Sequence, residues 1–232
     1  MLARFFKIIV FLASSQWSFD GFARARDFLK ITPTFALNTR FYLSSTHKSE
    51  IAENNDTGSG FSYQLGGYAG KERNLGFFLR NETLSTTFEL NSSTSAQTWQ
   101  DTIIRYRWGY LYLGPMFSTL SYTVNLAGTD TVDSVATGTG GNVGLLFPIG
   151  NVGSLTIDVV SVSMAKTVNE LTTTTAVGAR QDIDLGASID LTADLIDLVF
   201  GYRQQTFAVT TASSYSELVL STYLGLQFSI YF

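Results

Sequence analysis

Apolar residues recur at every second position along most of this chain, most clearly over residues 175–191. There Val177, Ala179, Ile183, Leu185, Ala187, Ile189 and Leu191 alternate with Gly178, Arg180, Asp182, Asp184, Gly186, Ser188 and Asp190. A period of two puts the two series on opposite faces of an extended strand, one greasy and one charged. The same reading gives strands over 37–43, 61–69, 75–90, 98–109, 111–127, 141–149, 152–166, 195–209 and 218–232. In 98–109 the apolar face carries Ile104, Tyr106 and Trp108; in 111–127 it carries Leu120, Tyr122, Val124 and Leu126. The phase of 75–90 changes near 81–83, which predicts a bulge there. That makes ten strands, or eight if the weak segments around 109–115 merge.

The connections alternate in length. Short ones fall at 71–74, around 109–115, at 148–152 and at 191–194, with Gly114-Pro115 and Gly150-Asn151 as turn chemistry. Longer polar ones fall at 44–60, 91–97, 128–140, 167–174 and 210–216. An antiparallel up-and-down β-barrel with unequal ends follows from this rhythm. No apolar run approaches the ~20 residues of a membrane helix, the longest being Ile8 to Ala13. Yet 45% of residues are hydrophobic, with mean hydropathy +0.14. Apolar content without apolar runs is what a strand-spanning membrane protein requires, since only helices and closed barrels satisfy their backbone in lipid.

Leu224, Leu226, Phe228, Ile230 and the final Phe232 alternate up to an aromatic last residue. This segment resembles the assembly signal of bacterial outer-membrane β-barrels, and the resemblance, of pattern rather than family motif, extends over about residues 31–232. It implies an all-β transmembrane barrel in the outer membrane of a Gram-negative envelope, with both termini periplasmic. The implied partners are outer-membrane lipid and the barrel-assembly machinery. Residues 1–25 read as a signal peptide, with Arg4 and Lys7 before an apolar core and Ala23-Arg24-Ala25 as the cleavage site. The barrel domain is then 26–232.

Net charge is −4, and removing residues 1–25 leaves −6. With no basic cluster to neutralise phosphates, nucleic-acid binding has no electrostatic footing. With no cysteine and one histidine, a transition-metal site has too few ligands. If the greasy faces meet lipid, the lumen is lined by Arg40, Arg80, Glu82, Arg105, Arg107, Asp158, Arg180, Asp182, Asp184, Arg203 and Glu217, with Lys166, Asp190 and Asp197. Mixed signs at this density favour mutual pairing that closes a narrow barrel over a one-signed ion path. Counting across hairpins predicts the luminal pairs Asp182–Arg203 and Glu82–Arg107. Aromatics near strand ends, Trp99, Trp108, Tyr110, Phe147, Phe207 and Phe232, suit interfacial girdles.

Other chemistry is sparse. His47, in the first long connection beside Ser44, Ser45 and Glu50, is read as a solvated loop residue rather than a catalytic one. Glu50, Glu53, Asp56, Asp130 and Asp133 lack the spacing of a calcium loop, and Gly138, Gly140 and Gly141 are not followed by Gly-Lys-Ser/Thr. No catalytic, metal or cofactor residue is assigned. The expected protein is a non-enzymatic barrel of structural or surface-interaction type, its lumen closed by paired charges. A narrow passive pore is the alternative, and an outer-rim hydrolase a distant third.

Overall fold

A computed structural model describes residues 31–49, 56–88, 93–125, 131–149, 152–168, 175–192, 195–210 and 215–231. Residues 1–25 and Phe232 lie outside them. Ten strands run in chain order: β1 (Phe35–Ser49), β2 (Asp56–Ala69), β3 (Leu75–Phe88), β4 (Ser93–Trp108), β5 (Leu111–Asn125), β6 (Thr131–Ile149), β7 (Gly153–Val168), β8 (Thr175–Thr192), β9 (Ile196–Thr210) and β10 (Tyr215–Ile230). Each pairs antiparallel with its neighbours in sequence, and β1 pairs with β10, so the sheet closes into a barrel without a free edge. Tyr223↔Tyr42 and Phe228↔Leu37 are among the closing partners.

The alternation decides which side each residue takes. Phe41, Leu43, Phe77, Leu79, Trp108, Leu113, Phe117, Leu185 and Ile230 are all exposed on the outer wall, whereas Arg80, Glu82, Asp101, Arg180, Asp182 and Arg203 are buried inside. Among the described outward-facing strand side chains none carries a charge; the exposed Lys71 and Glu72 stand in a turn. A soluble barrel has the reverse arrangement.

One end of the barrel, where Ile31 and Tyr231 lie, has tight turns. Trp108↔Leu111 closes a two-residue hairpin whose first turn residue is Gly109 at φ 59°. Glycine at that place is what a type II′ turn needs. Gly114-Pro115, expected as a turn, lies instead within β5. Pro115 has no N–H for the ladder, and the carbonyls of Ile104 and Gly114 accept from Asn142 Nδ2, at 3.4 and 3.1 Å.

At the other end the strands run further than the alternation indicated. β1 continues to Ser49 and β2 begins at Asp56, so most of 44–60 is ladder, and β6 takes up 131–140. His47 is therefore a strand residue, its backbone opposite Val219 and Asp56; its side chain lies outside the described residues. Asp133 and Gly138, Gly140 and Gly141 are likewise in β6. The expected bulge at 81–83 is absent, because β3 pairs without a shift from Leu75 to Phe88. The register shift in β1 sits between Tyr42 and Ser44.

Aromatic side chains on the inner face lie over glycines of the next strand. Tyr223 is paired with Gly201, which is paired with Gly186. A Cβ on Gly201 would come within 2.5 Å of the Tyr223 hydroxyl and also meet the Leu185 carbonyl. Gly201→Val is accordingly expected to cost about 1–3 kcal/mol through overpacking, read as a lower urea midpoint. Gly178→Ala, where the nearest neighbour would lie at 3.1 Å, is expected to be milder.

Candidate functional site

The inner face of β8 carries Arg180, Asp182 and Asp184 at successive inward positions, and they organise the middle of the lumen. Arg180 Nη2 and Nε donate to Asp182 Oδ2 at 2.6 and 3.0 Å, and Nη1 donates to Asp101 Oδ1 on β4 at 2.9 Å. Arg80 on β3 grips the other oxygen of Asp101, Nε at 2.9 Å and Nη2 at 2.7 Å. Ser118 Oγ donates to Asp101 Oδ1 at 2.6 Å while accepting from Arg180 Nη1 at 2.9 Å. Arg203 on β9 donates to Asp182 Oδ2 at 2.8 Å and pairs across the lumen with Glu82. Tyr42 links them, donating to Glu82 Oε2 at 2.6 Å and accepting from Arg203 Nη1 at 3.0 Å.

Two outlying pairs complete the set. Arg40 donates to Asp184 Oδ2 at 2.5 Å, where Asp184 Oδ1 also accepts from Tyr223 at 2.7 Å, and Arg105 pairs with Asp158. Among the described ion pairs of the lumen, five arginines therefore face five carboxylates, Glu82, Asp101, Asp158, Asp182 and Asp184. The balance matters because charges removed from water are tolerated only when paired and hydrogen-bonded.

An apolar cluster fills the rest of this level: Trp99, Ile103, Met116, Leu120, Val160, Val162, Met164 and Phe207. The Arg180 guanidinium lies 4.1 Å from the centroid of Trp99, joining the two halves by a cation–π contact. Arg180 and Trp99 are each 0% exposed. Together they form a plug, chemically a salt-bridged wall with no exposed nucleophile or base. Toward the end with the tight turns lies a cavity of about 130 Å³, bordered by Asn38, Arg40, Gln64, Asp158, Asp184 and Ser188.

All eleven charges expected in the lumen lie on inward positions, but not all in the plug. Glu217 is buried above it on β10. Arg107 is near the tight turns, where its guanidinium donates to the carbonyls of Glu72 at 2.7 Å, Gly109 at 3.0 Å and Arg73 at 3.4 Å. Glu82–Arg107 is thus corrected: Glu82 sits opposite Trp99 on β4 and meets Arg203 from across the barrel. Asp182 and Arg203 do meet, one step off direct register, since Arg203 faces Asp184. Asp190 and Asp197 face each other on β8 and β9 near the tight turns. The side chain of Lys166 lies outside the described residues. Leu224, Leu226, Phe228 and Ile230 are outward on β10.

Trp99 and Phe207, expected in girdles, point inward and meet edge to face, centroids 5.6 Å apart. Leu120, expected outward, is also inside; the outer face of β5 carries Leu113 and Phe117. Asp101, which holds two arginines, is not among the charges expected in the lumen. Stepping by two from Arg105 and Arg107 reaches it.

No family model matches the chain, and no curated protein matches it. Among solved structures it is similar to the crystal structure of Neisserial surface protein A, at 14% identity over 85% of this chain and 97% of that one, TM-score 0.46. The β domain of the Bordetella autotransporter BrkA gives 10% identity over 85% and 100%, TM-score 0.46, and the CymD monoaromatic hydrocarbon channel 9% over 92% and 93%, TM-score 0.38. The chain resembles bacterial outer-membrane β-barrels. At these identities the likeness is one of fold and assigns no activity.

Proposed function

We propose that this protein is a non-enzymatic barrel of the outer membrane, of structural or surface-interaction type, whose lumen is closed by the plug. The observation that carries the reading is the inversion of charge. Paired charges fill the inside, with Arg180 and Trp99 wholly buried, while the described outer strand side chains are uncharged. Lipid accepts such a wall, and a plug of alternating sign offers an ion no continuous path. Both termini lie on the periplasmic side, as an even strand count with tight turns at that end suits. Residues 1–25 act as the export signal, and Leu224, Leu226, Phe228, Ile230 and Phe232 as the signal read by the assembly machinery.

Planar-bilayer recording of the refolded protein tests closure, with electrical silence the expected result. A steady unitary conductance would replace this reading with that of a narrow passive pore. Migration on gels tests the wall: the folded barrel is expected to shift on heating, and a detergent-free soluble protein without that shift would remove it from the membrane.

A further inference from the structure

The apolar wall is not equally tall all round. It reaches Leu43 on β1 and Leu218 on β10, but on β3 it stops at Leu79 and on β4 at Ile104. Beyond those points the outward residues are Asn81, Thr83 and Ser85 on β3 and Thr102, Gln100 and Thr98 on β4. The step leaves a groove of about 760 Å³ on the outside of the barrel. Tyr63 on β2, Leu79 on β3 and Phe117 on β5 line it, and Asn81, Gln100 and Thr102 supply polar groups. It continues over the small residues Thr119, Thr137, Thr139 and Ser163. Arg80 and Asp101, which back it, are turned inward and bound to each other, so the groove itself is uncharged.

We propose that this groove holds the sugar headgroup of a glycolipid in the outer leaflet. The proposal rests on the reading that the wall faces lipid. Three features select the ligand. The groove straddles the line where, on β3 and β4, the apolar wall gives way to polar residues, away from the end with the tight turns, and a headgroup beside those strands would meet it along that line. Its amides and hydroxyls are neutral donors and acceptors, and Tyr63 and Phe117 are exposed aromatic rings in its lining, a mixture that suits a pyranose with hydroxyls on its rim and C–H bonds on its faces. A phospholipid headgroup presents phosphate, whose strong partners are cationic side chains; none is among the groove-lining residues that face outward. The volume lies in the range of small-molecule sites, about 300–1,000 Å³.

The test uses the full mature barrel refolded into phosphatidylethanolamine vesicles doped with lipid A stripped of its phosphates, a neutral glucosamine-disaccharide lipid. Lipid retained through detergent washing is then counted by mass spectrometry. The protein is expected to retain lipid A at least tenfold over its share of the vesicle. Asn81→Leu, Gln100→Leu and Thr102→Val combined would make the groove apolar and reduce retention at least tenfold, with heat-modifiable migration kept. Gln181→Leu with Gln204→Leu, equally polar outward positions on β8 and β9, is expected to retain lipid A as the parent does. Should the triple variant misfold, single Gln100→Leu and Gln100→Asn replacements serve, the first expected to lose lipid A and the second to keep it. Equal retention by parent and groove variant, equal loss in the β8–β9 variant, or a parent that holds phospholipid as tightly would overturn the groove. If migration shifts on heating in each of these cases, the membrane reading stands and only the groove falls; a parent that neither shifts nor enters vesicles sinks both.

Discussion

Asp182→Ala is expected to destabilise the barrel by about 3–5 kcal/mol, because removing one partner of a buried ion pair leaves charge without compensation. The effect falls at the upper end because Asp182 serves three guanidinium groups: Arg180 at 2.6 Å, Arg203 at 2.8 Å and Arg80 at 3.7 Å. Its loss turns a balanced set of five arginines and five carboxylates into one with an uncompensated positive charge. With urea slopes of about 1–3 kcal/mol/M, the unfolding midpoint in detergent should fall by roughly 2 M. Asp182→Asn keeps the shape and should cost nearly as much if charge is the cause. Combining Asp182→Ala with Arg180→Met restores neutrality, and most of the stability is expected to return, since apolar groups of similar volume often replace a buried pair at little cost. A double variant no better than the single one would mean that the plug is held by shape and not by charge balance.

How far such a plug can be read without coordinates depends on what surrounds each strand. On β8 the outer face is apolar and the inner face charged, so Ile183, Leu185 and Ile189 separate cleanly from Arg180, Asp182 and Asp184, and the alternation assigns both faces. On β5 both faces are apolar: Leu120 and Met116 pack inside while Leu113 and Phe117 face out. Counting apolar positions there picks the wrong series. The mistaken bulge on β3 has the same origin, since Phe78 and Leu84 are inward apolar residues among outward Phe77, Leu79 and Thr83. Beyond the apolar wall the signal fades for the opposite reason. Residues such as Thr46, Thr57 and Thr137 continue the ladder without an apolar face, so their strands resemble loops although threonine suits extended backbone.

Partners are harder still. Hairpin counting brings Asp182 near Arg203 because β8 and β9 adjoin, but the contacts of Glu82 with Arg203 and of Arg180 with Asp101 cross the lumen. Those depend on strand tilt and on the stagger accumulated around the closed barrel, which no local pattern encodes. Asp101 was within reach of the alternation, while its role as the shared acceptor for Arg80 and Arg180 was not.

The apolar half of the plug carries the second large effect. Trp99→Ala is expected to cost about 3–5 kcal/mol, the range for deleting a buried aromatic side chain and leaving a cavity. Trp99 is wholly buried, edge to face with Phe207 and under the Arg180 guanidinium. Its loss therefore removes packing and also strips one face from a buried cation. Trp108, on the outer wall and 69% exposed, provides the contrast; Trp108→Ala leaves no cavity in the packed interior and should cost clearly less than Trp99→Ala. Trp99→Phe keeps a ring for Arg180 and should recover much of the loss. Urea unfolding of the three variants in the same detergent decides the matter. If Trp99→Ala and Trp108→Ala behave alike, the interior is looser than the contacts around Trp99 imply, and the case for a sealed lumen loses its apolar half.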